Sequence, residues 1–162
     1  MKIIMRKFYL KKSKIEGKGL FAKKEIKKGE VVGEFKGRIY STKEVERKKL
    51  HIYLFQIDWE KWMYVKTTEK YINHSCSPNT YIKQKTKIAA FKNIKKGDEL
   101  TIDYDTLEWD YKKAKIKCKC GTKSCRKILQ GYKYLDTKTK KRYNEFIADF
   151  LKTKYKESLK PS

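Results

Sequence analysis

Apolar and polar positions alternate in short runs along most of this chain, the pattern of half-buried strands rather than of long helices. Runs rich in Val, Ile and aromatic residues predict strands over residues 3–10, 30–40, 52–57, 63–66, 80–82, 88–91 and 99–104. Gly17 and Gly19 punctuate a turn. Ser41 with Glu44 three residues on is a capping box, which starts a short helix to about residue 50. Near the end, Tyr143, Phe146, Ile147, Phe150 and Leu151 recur at helical spacing, so a helix with one packing face is expected over about 136–155. The fold class predicted is mainly β with short helices and a helical tail.

One segment has an echo. Ala22-Lys23-Lys24-Glu25-Ile26-Lys27-Lys28-Gly29-Glu30 resembles Ala90-Phe91-Lys92-Asn93-Ile94-Lys95-Lys96-Gly97-Asp98, 68 positions later. Two copies do not make a solenoid. They read as the same glycine turn, used twice before a strand.

Composition changes the picture mainly through charge. The 162 residues suit one domain, and Lys+Arg 43 against Asp+Glu 19 leaves a net charge of +24. That excess favours polyanions such as nucleic acid or nucleoprotein, or else a solvated lysine-rich surface, since the lysines are spread rather than blocked. No apolar run approaches the roughly 20 residues of a membrane span. Arg6 and Lys7 interrupt the first apolar stretch, which makes a poor signal peptide, so a soluble intracellular protein is expected. Residues 98–110 stand apart, with 6 of the 19 acids and neither Lys nor Arg. This segment is expected to line the entrance for a basic peptide, or to balance nearby lysines.

The four cysteines suggest metal before disulfides in a cytosolic chain. Cys118, Cys120 and Cys125 form C-x-C-x4-C in a loop with one glycine. Zinc takes four ligands in tetrahedral geometry, and Cys76 is the cysteine that remains. Free thiols or two disulfides are the alternatives.

Four segments, in order, resemble the SET-domain protein-lysine methyltransferases. Gly17-Lys18-Gly19-Leu20-Phe21-Ala22 is similar to the family's first motif, and Asn73-His74-Ser75-Cys76-Ser77-Pro78-Asn79 to its central signature. Glu99-Leu100-Thr101-Ile102-Asp103-Tyr104 is similar to the catalytic strand, and residues 118–126 to the post-SET zinc loop. The resemblance implies a β-clip fold of small antiparallel sheets with a knot-like threading of the second and third motifs. It implies a SET domain over 1–112, a post-SET zinc loop over 113–132, and an amphipathic helix and tail over 133–162.

The resemblance also implies roles. Tyr104 would be catalytic. Gly17, Lys18, Gly19, Leu20, Asn73, His74 and Leu129 would contact S-adenosylmethionine, the glycine segment through its backbone. Cys76, Cys118, Cys120 and Cys125 would bind one structural zinc ion. The substrate would be a lysine of a basic protein, histone-like, nucleoid or ribosomal, with docking on nucleic acid through the basic surface. Localisation would be cytoplasm or nucleoid in a microbe and chromatin in a eukaryote. Three positions depart from the usual pattern: Ile102 in place of an aromatic residue, Phe35-Lys36-Gly37 in place of Tyr-x-Gly, and Lys70 in place of arginine. The competing reading is a non-catalytic basic zinc module that binds nucleic acid, with aromatics among its lysines at Tyr53, Phe55, Trp59 and Trp62.

Overall fold

The computed structural model describes residues 6–50 and 52–153. Twelve short strands and two short helices appear among them. The first predicted strand begins outside the described residues; strand β1 is observed at Phe8–Lys12. It pairs antiparallel with β2, Lys18–Ala22, in a register from Phe8 opposite Ala22 to Lys12 opposite Lys18. The two glycines therefore do more than turn the chain. Gly17, at φ +49, closes the hairpin, whereas Gly19 lies within β2 itself.

The predicted strand over 30–40 is two strands, β3 at Val31–Glu34 and β4 at Gly37–Ser41. The break at Phe35-Lys36 moves the chain from one sheet to another. Gly37 makes the crossing tight: a Cβ there would lie 1.8 Å from the Tyr64 carbonyl oxygen. The capping box forms as expected, with Ser41 Oγ accepting from the Glu44 amide at 3.3 Å and Glu44 Oε2 accepting from the Ser41 amide at 2.9 Å. Helix α1 spans Thr42–Lys48 and stops at Lys49, which takes a left-handed φ of 50°.

Strands β5, Leu54–Asp58, and β6, Lys61–Val65, complete a sheet of order β4-β6-β5. Strands β8, Thr80–Lys83, and β9, Lys87–Ala90, join β3 in order β3-β9-β8. The remaining large sheet contains the central signature. There β10, Glu99–Ile102, lies antiparallel to β2 and then parallel to the two-residue β7, Asn73–His74, with Thr101 opposite Asn73 and Ile102 opposite His74. A two-stranded ribbon, β11 at Ile116–Lys117 and β12 at Ile128–Leu129, frames the cysteine loop.

The sequence echo has a structural meaning. Ile26 and Ile94 form a reciprocal bridge, each amide donating to the other's carbonyl at 2.9 Å. The Gly29 amide donates to Ala90 O, and the Gly97 amide to Ala22 O. Glu30 accepts from the Lys27 amide and Asp98 from the Lys95 amide, one carboxylate closing each turn. Gly29 and Gly97 sit at φ +83 and +88, a region that favours glycine. The two copies thus pair with each other about a local twofold axis. They place Ile26, Ile94, Ala22 and Ala90, all essentially inaccessible to solvent, between the sheets.

The main core contains Phe8, Leu20, Val32, Phe55, Ile88 and Leu100, drawn from all three larger sheets. A second core contains Tyr132, Leu135, Tyr143, Ile147 and Leu151, with Phe91, Trp109 and Phe150 against it. Here the predicted helix is much shorter than expected. Helix α2 spans only Thr137–Tyr143, capped by Asp136, and Asn144 at φ 48° and ψ −114° turns the chain out of it. The Ala148 amide then bonds to Thr106 O at 2.9 Å, and a 3-10 turn follows at Asp149–Leu151. The apolar stripe does pack, as predicted from its spacing, but through a turn docked on the strand region rather than along one helix face. No helix among the described residues is long and apolar enough to cross a membrane.

Candidate active site and metal centre

A cavity of about 900 Å³ opens beside the β2–β10–β7 sheet. Gly17, Lys18, Asn73 and Tyr104 line it, together with the apolar Phe35, Val65 and Leu107. Of the other predicted cofactor contacts, Gly19, Leu20, His74 and Leu129 do not line it. Leu20 and Leu129 point into packed interior, at 1% and 2% exposure.

Asn73 ties the first motif to the central signature. Its amide nitrogen donates to Glu16 O and Lys18 O, each at 3.1 Å, and to Glu99 Oε1 at 2.8 Å. Ser13 Oγ reaches both oxygens of the same Glu99, at 2.8 and 2.9 Å. Gly19 is what lets Glu99 approach, because a Cβ there would lie 2.2 Å from Oε1. Asn79 supports the far side of β10, accepting from the Thr101 amide and donating to Glu99 O, both at 2.8 Å.

Tyr104 begins a 3-10 turn, Tyr104–Thr106, directly after β10. Its hydroxyl donates to Ile72 O at 2.7 Å. Burial pushes its pKa well above the usual phenol range, and the charges of Glu16 and Glu99 push the same way. The phenol therefore stays protonated, which excludes a role as a base at neutral pH. Its backbone N–H donates to His74 Nδ1 at 3.1 Å. Burial lowers the His74 pKa against the opposing pull of Asp103, so the ring is neutral. With Nδ1 as acceptor, the ring proton is assigned to Nε2, 3.3 Å from Cys76 Sγ.

Three of the four cysteines converge, together with His74. The ligand atoms of His74, Cys76, Cys118 and Cys120 all lie within 4.8 Å of one another, close enough to share one metal ion. Cys76 and Cys118 sulfurs are 3.8 Å apart, and all four thiols are free of disulfides. Cys125 lies outside that mutual group. Backbone N–H groups of Arg126, Cys120 and Lys127 point at Cys76, Cys118 and Cys125, at 3.3, 3.5 and 3.4 Å. Burial raises the Cys76 thiol to about 11. At Cys120 burial is outweighed by hydrogen bonds with Cys76 and Thr122, which bring it down to about 6. A donor set of this kind, soft sulfurs met by amide donors, fits a thiophilic ion such as zinc.

The SET domain profile matches residues 17–105, more than half of the chain. The chain belongs to the SET-domain family. Human histone-lysine N-methyltransferase 2D is 37% identical over 138 residues, covering 75% of this chain and 2% of that protein. Histone-lysine N-methyltransferase ASHH3 of Arabidopsis thaliana is 34% identical over 133 residues, covering 70% of this chain and 35% of that one. The chain thus spans only a small part of such relatives. Among solved structures, the methyltransferase domain of human SETMAR superposes with a TM-score of 0.65 at 26% identity, over 76% of this chain and 58% of that one.

In this SET domain the acidic segment does not form one entrance. Asp103 and Asp105 are 1% and 2% exposed and hold Arg126, at 2.5 and 2.7 Å. Tyr143 donates to Asp103, and Tyr111, Gln130 N and Gly131 N donate to Asp105. Burial opposes the Arg126 charge, but the two aspartates more than offset it and hold the guanidinium charged. Asp98 closes a turn, Glu99 supports Asn73, and Asp110 pairs with exposed Lys133. Of the six acids, only Glu108 lines the cavity. Arg126, Tyr111 and Tyr143 were missed from the sequence. The position of Arg126 next to Cys125 was the available signal: a cation beside a metal loop in a segment preceded by six acids.

Proposed function

We propose that this SET-domain protein transfers methyl groups from S-adenosylmethionine to a lysine of a basic protein. The observation that carries the reading is that Gly17, Lys18, Asn73 and Tyr104 share one cavity with an apolar wall. Gly17, Lys18 and Asn73, which line the cavity, would hold the cofactor, while Gly19, Leu20, His74 and Leu129 would support that wall from behind. When bound, the cofactor supplies an electrophilic methyl group on a positively charged sulfur. The chain's own residues have two tasks. The first is to hold a neutral amine: Phe35, Val65 and Leu107 disfavour an ammonium, whose ordinary pKa is about 10.4. The second is alignment, which can contribute about 7–11 kcal/mol. Tyr104 suits that task, because its proton is committed to Ile72 and its oxygen lone pairs remain to orient an N–H donor.

Cys76, Cys118, Cys120 and Cys125 would hold one zinc ion. His74 is the geometric competitor for Cys125. A histidine ligated through Nε2 needs its proton on Nδ1, where the Tyr104 N–H already points. The neutral ring instead supports Cys76 as an Nε2–H donor, which favours the four-thiolate set. The metal would be structural and stand outside the transfer step.

Relatives named histone-lysine methyltransferases favour a histone-like, nucleoid or ribosomal substrate, and the +24 charge favours one that is delivered on nucleic acid. The test is incubation with methyl-labelled S-adenosylmethionine and a panel of such proteins. Label is expected on lysine, reduced about 10²-fold or more by Tyr104→Phe. An absence of labelling together with an absence of cofactor binding by calorimetry would sink the enzyme and favour the nucleic-acid module.

A further inference from the structure

Glu108 belongs to none of the four motifs; of the acidic run expected at an entrance, it is the one residue that lines the cavity. Its side chain lines the same cavity as Tyr104, beside Phe35, Val65, Leu107 and Tyr111. Its acidic neighbours are engaged: Asp103 and Asp105 by Arg126, Asp110 by Lys133. Glu108 has no ion pair among the described residues. In a chain with 43 lysines and arginines, an acid left facing an apolar cavity is unexpected, because enclosed charges are normally paired. Burial, reinforced by the negative charge of Asp105, pushes its pKa up to about 8. Tyr53, Lys18, Lys70 and Glu16 also border the cavity, but the Lys18 and Lys70 ammonium groups sit over the Tyr71 ring.

We propose that Glu108 receives the substrate lysine's ammonium group and accepts its proton before methyl transfer. The proposal rests on the methyltransferase reading above and adds the residue that prepares the nucleophile. In this step an N–H bond breaks and its electron pair stays on nitrogen as the attacking lone pair. The proton forms an O–H bond on Glu108. An ammonium–carboxylate pair becomes a neutral amine and a neutral acid, both better suited to an apolar enclosure than the isolated ions. The acid then passes its proton to water at the cavity mouth, which restores the carboxylate. A proton acceptor poised near neutral pH is well matched to this relay. An arriving ammonium would in turn favour the ionised form of Glu108, so the carboxylate forms as the cation enters.

Glu108→Gln keeps the shape and removes the acceptor. Near neutral pH its kcat/KM on a methylatable protein should fall about 10²-fold relative to wild type. The deficit should shrink toward 1 as pH nears about 10, where lysine sheds its proton unaided. A deficit independent of pH, or no deficit, overturns the proposal and leaves the methyltransferase reading standing. No methyl transfer by wild type on any substrate removes both.

A second measurement needs no activity. The folded pKa is raised above the unfolded one, so wild type is favoured below about pH 4.3 and loses stability as pH rises to about 8. Thermal melts should therefore show Glu108→Gln gaining on wild type between about pH 4.5 and 8. A constant difference across that range would show that the carboxyl does not titrate as required, and would equally overturn the proposal.

Discussion

Two polar networks meet at Tyr104 and differ in how they are built. On the side of the first motif, Ser13, Asn73 and Glu99 join three short segments through partly solvated hydrogen bonds. On the other side, Asp103 and Asp105 are sealed from solvent and bind Arg126, Tyr111 and Tyr143, residues up to 40 positions away. The first network shapes a rim with neutral donors and one carboxylate. The second locks the cysteine loop and the C-terminal core onto the end of β10 with full charges. In the first, water can replace a lost partner. In the second it cannot, so each loss leaves a buried charge alone. The first network is therefore expected to govern activity and the second stability.

The largest effect should come from Arg126→Met, which strands both aspartates. A loss of about 3–5 kcal/mol is expected, measured by urea denaturation. Adding Asp103→Asn should recover part of it, and the double-mutant cycle should give a coupling of about 0.5–3 kcal/mol. Strict additivity would mean that the pair contributes nothing. Asn73→Ala should cost less stability, about 1–2 kcal/mol, because Glu99 and the two carbonyls can turn to water. Its cofactor affinity should suffer more than its melting temperature; the reverse order would erase the distinction between the networks. Ser13→Ala, the smallest change, should cost about 1 kcal/mol or less and weaken cofactor binding slightly, since Glu99 keeps Asn73.

The second core shows why local pattern misled at the C-terminus. Tyr143, Ile147 and Leu151 have helical spacing, and all three are buried. Spacing reports which residues face inward, not whether the backbone between them stays helical. The Thr106 carbonyl takes the Ala148 amide, and Phe146 packs on Tyr81 and Phe91 at 4.7 and 5.0 Å between ring centroids. Those contacts are better met by a turn at Asn144. The strand over 30–40 failed for a similar reason: β propensity continued through Phe35-Lys36, while the close approach of Gly37 to Tyr64 required a change of sheet.

By itself the sequence determined what depends on local chemistry. The capping box at Ser41 is a contact between residues three apart, and the glycine turns at Gly29 and Gly97 need a positive φ that few other residues tolerate. The Asn73-to-Asn79 signature and the segment ending at Tyr104 were legible through their resemblance to the SET family, whose domain spans residues 17–105. Tertiary structure decided what depends on distance through space. It paired the two echoed turns, set Gly19 against Glu99, buried Asp103 and Asp105 around Arg126, and left Glu108 in the cavity wall. The six acids of residues 98–110 are one run on paper. A carboxylate's role follows from its burial and from the charges that reach it, and only the folded chain assigns those.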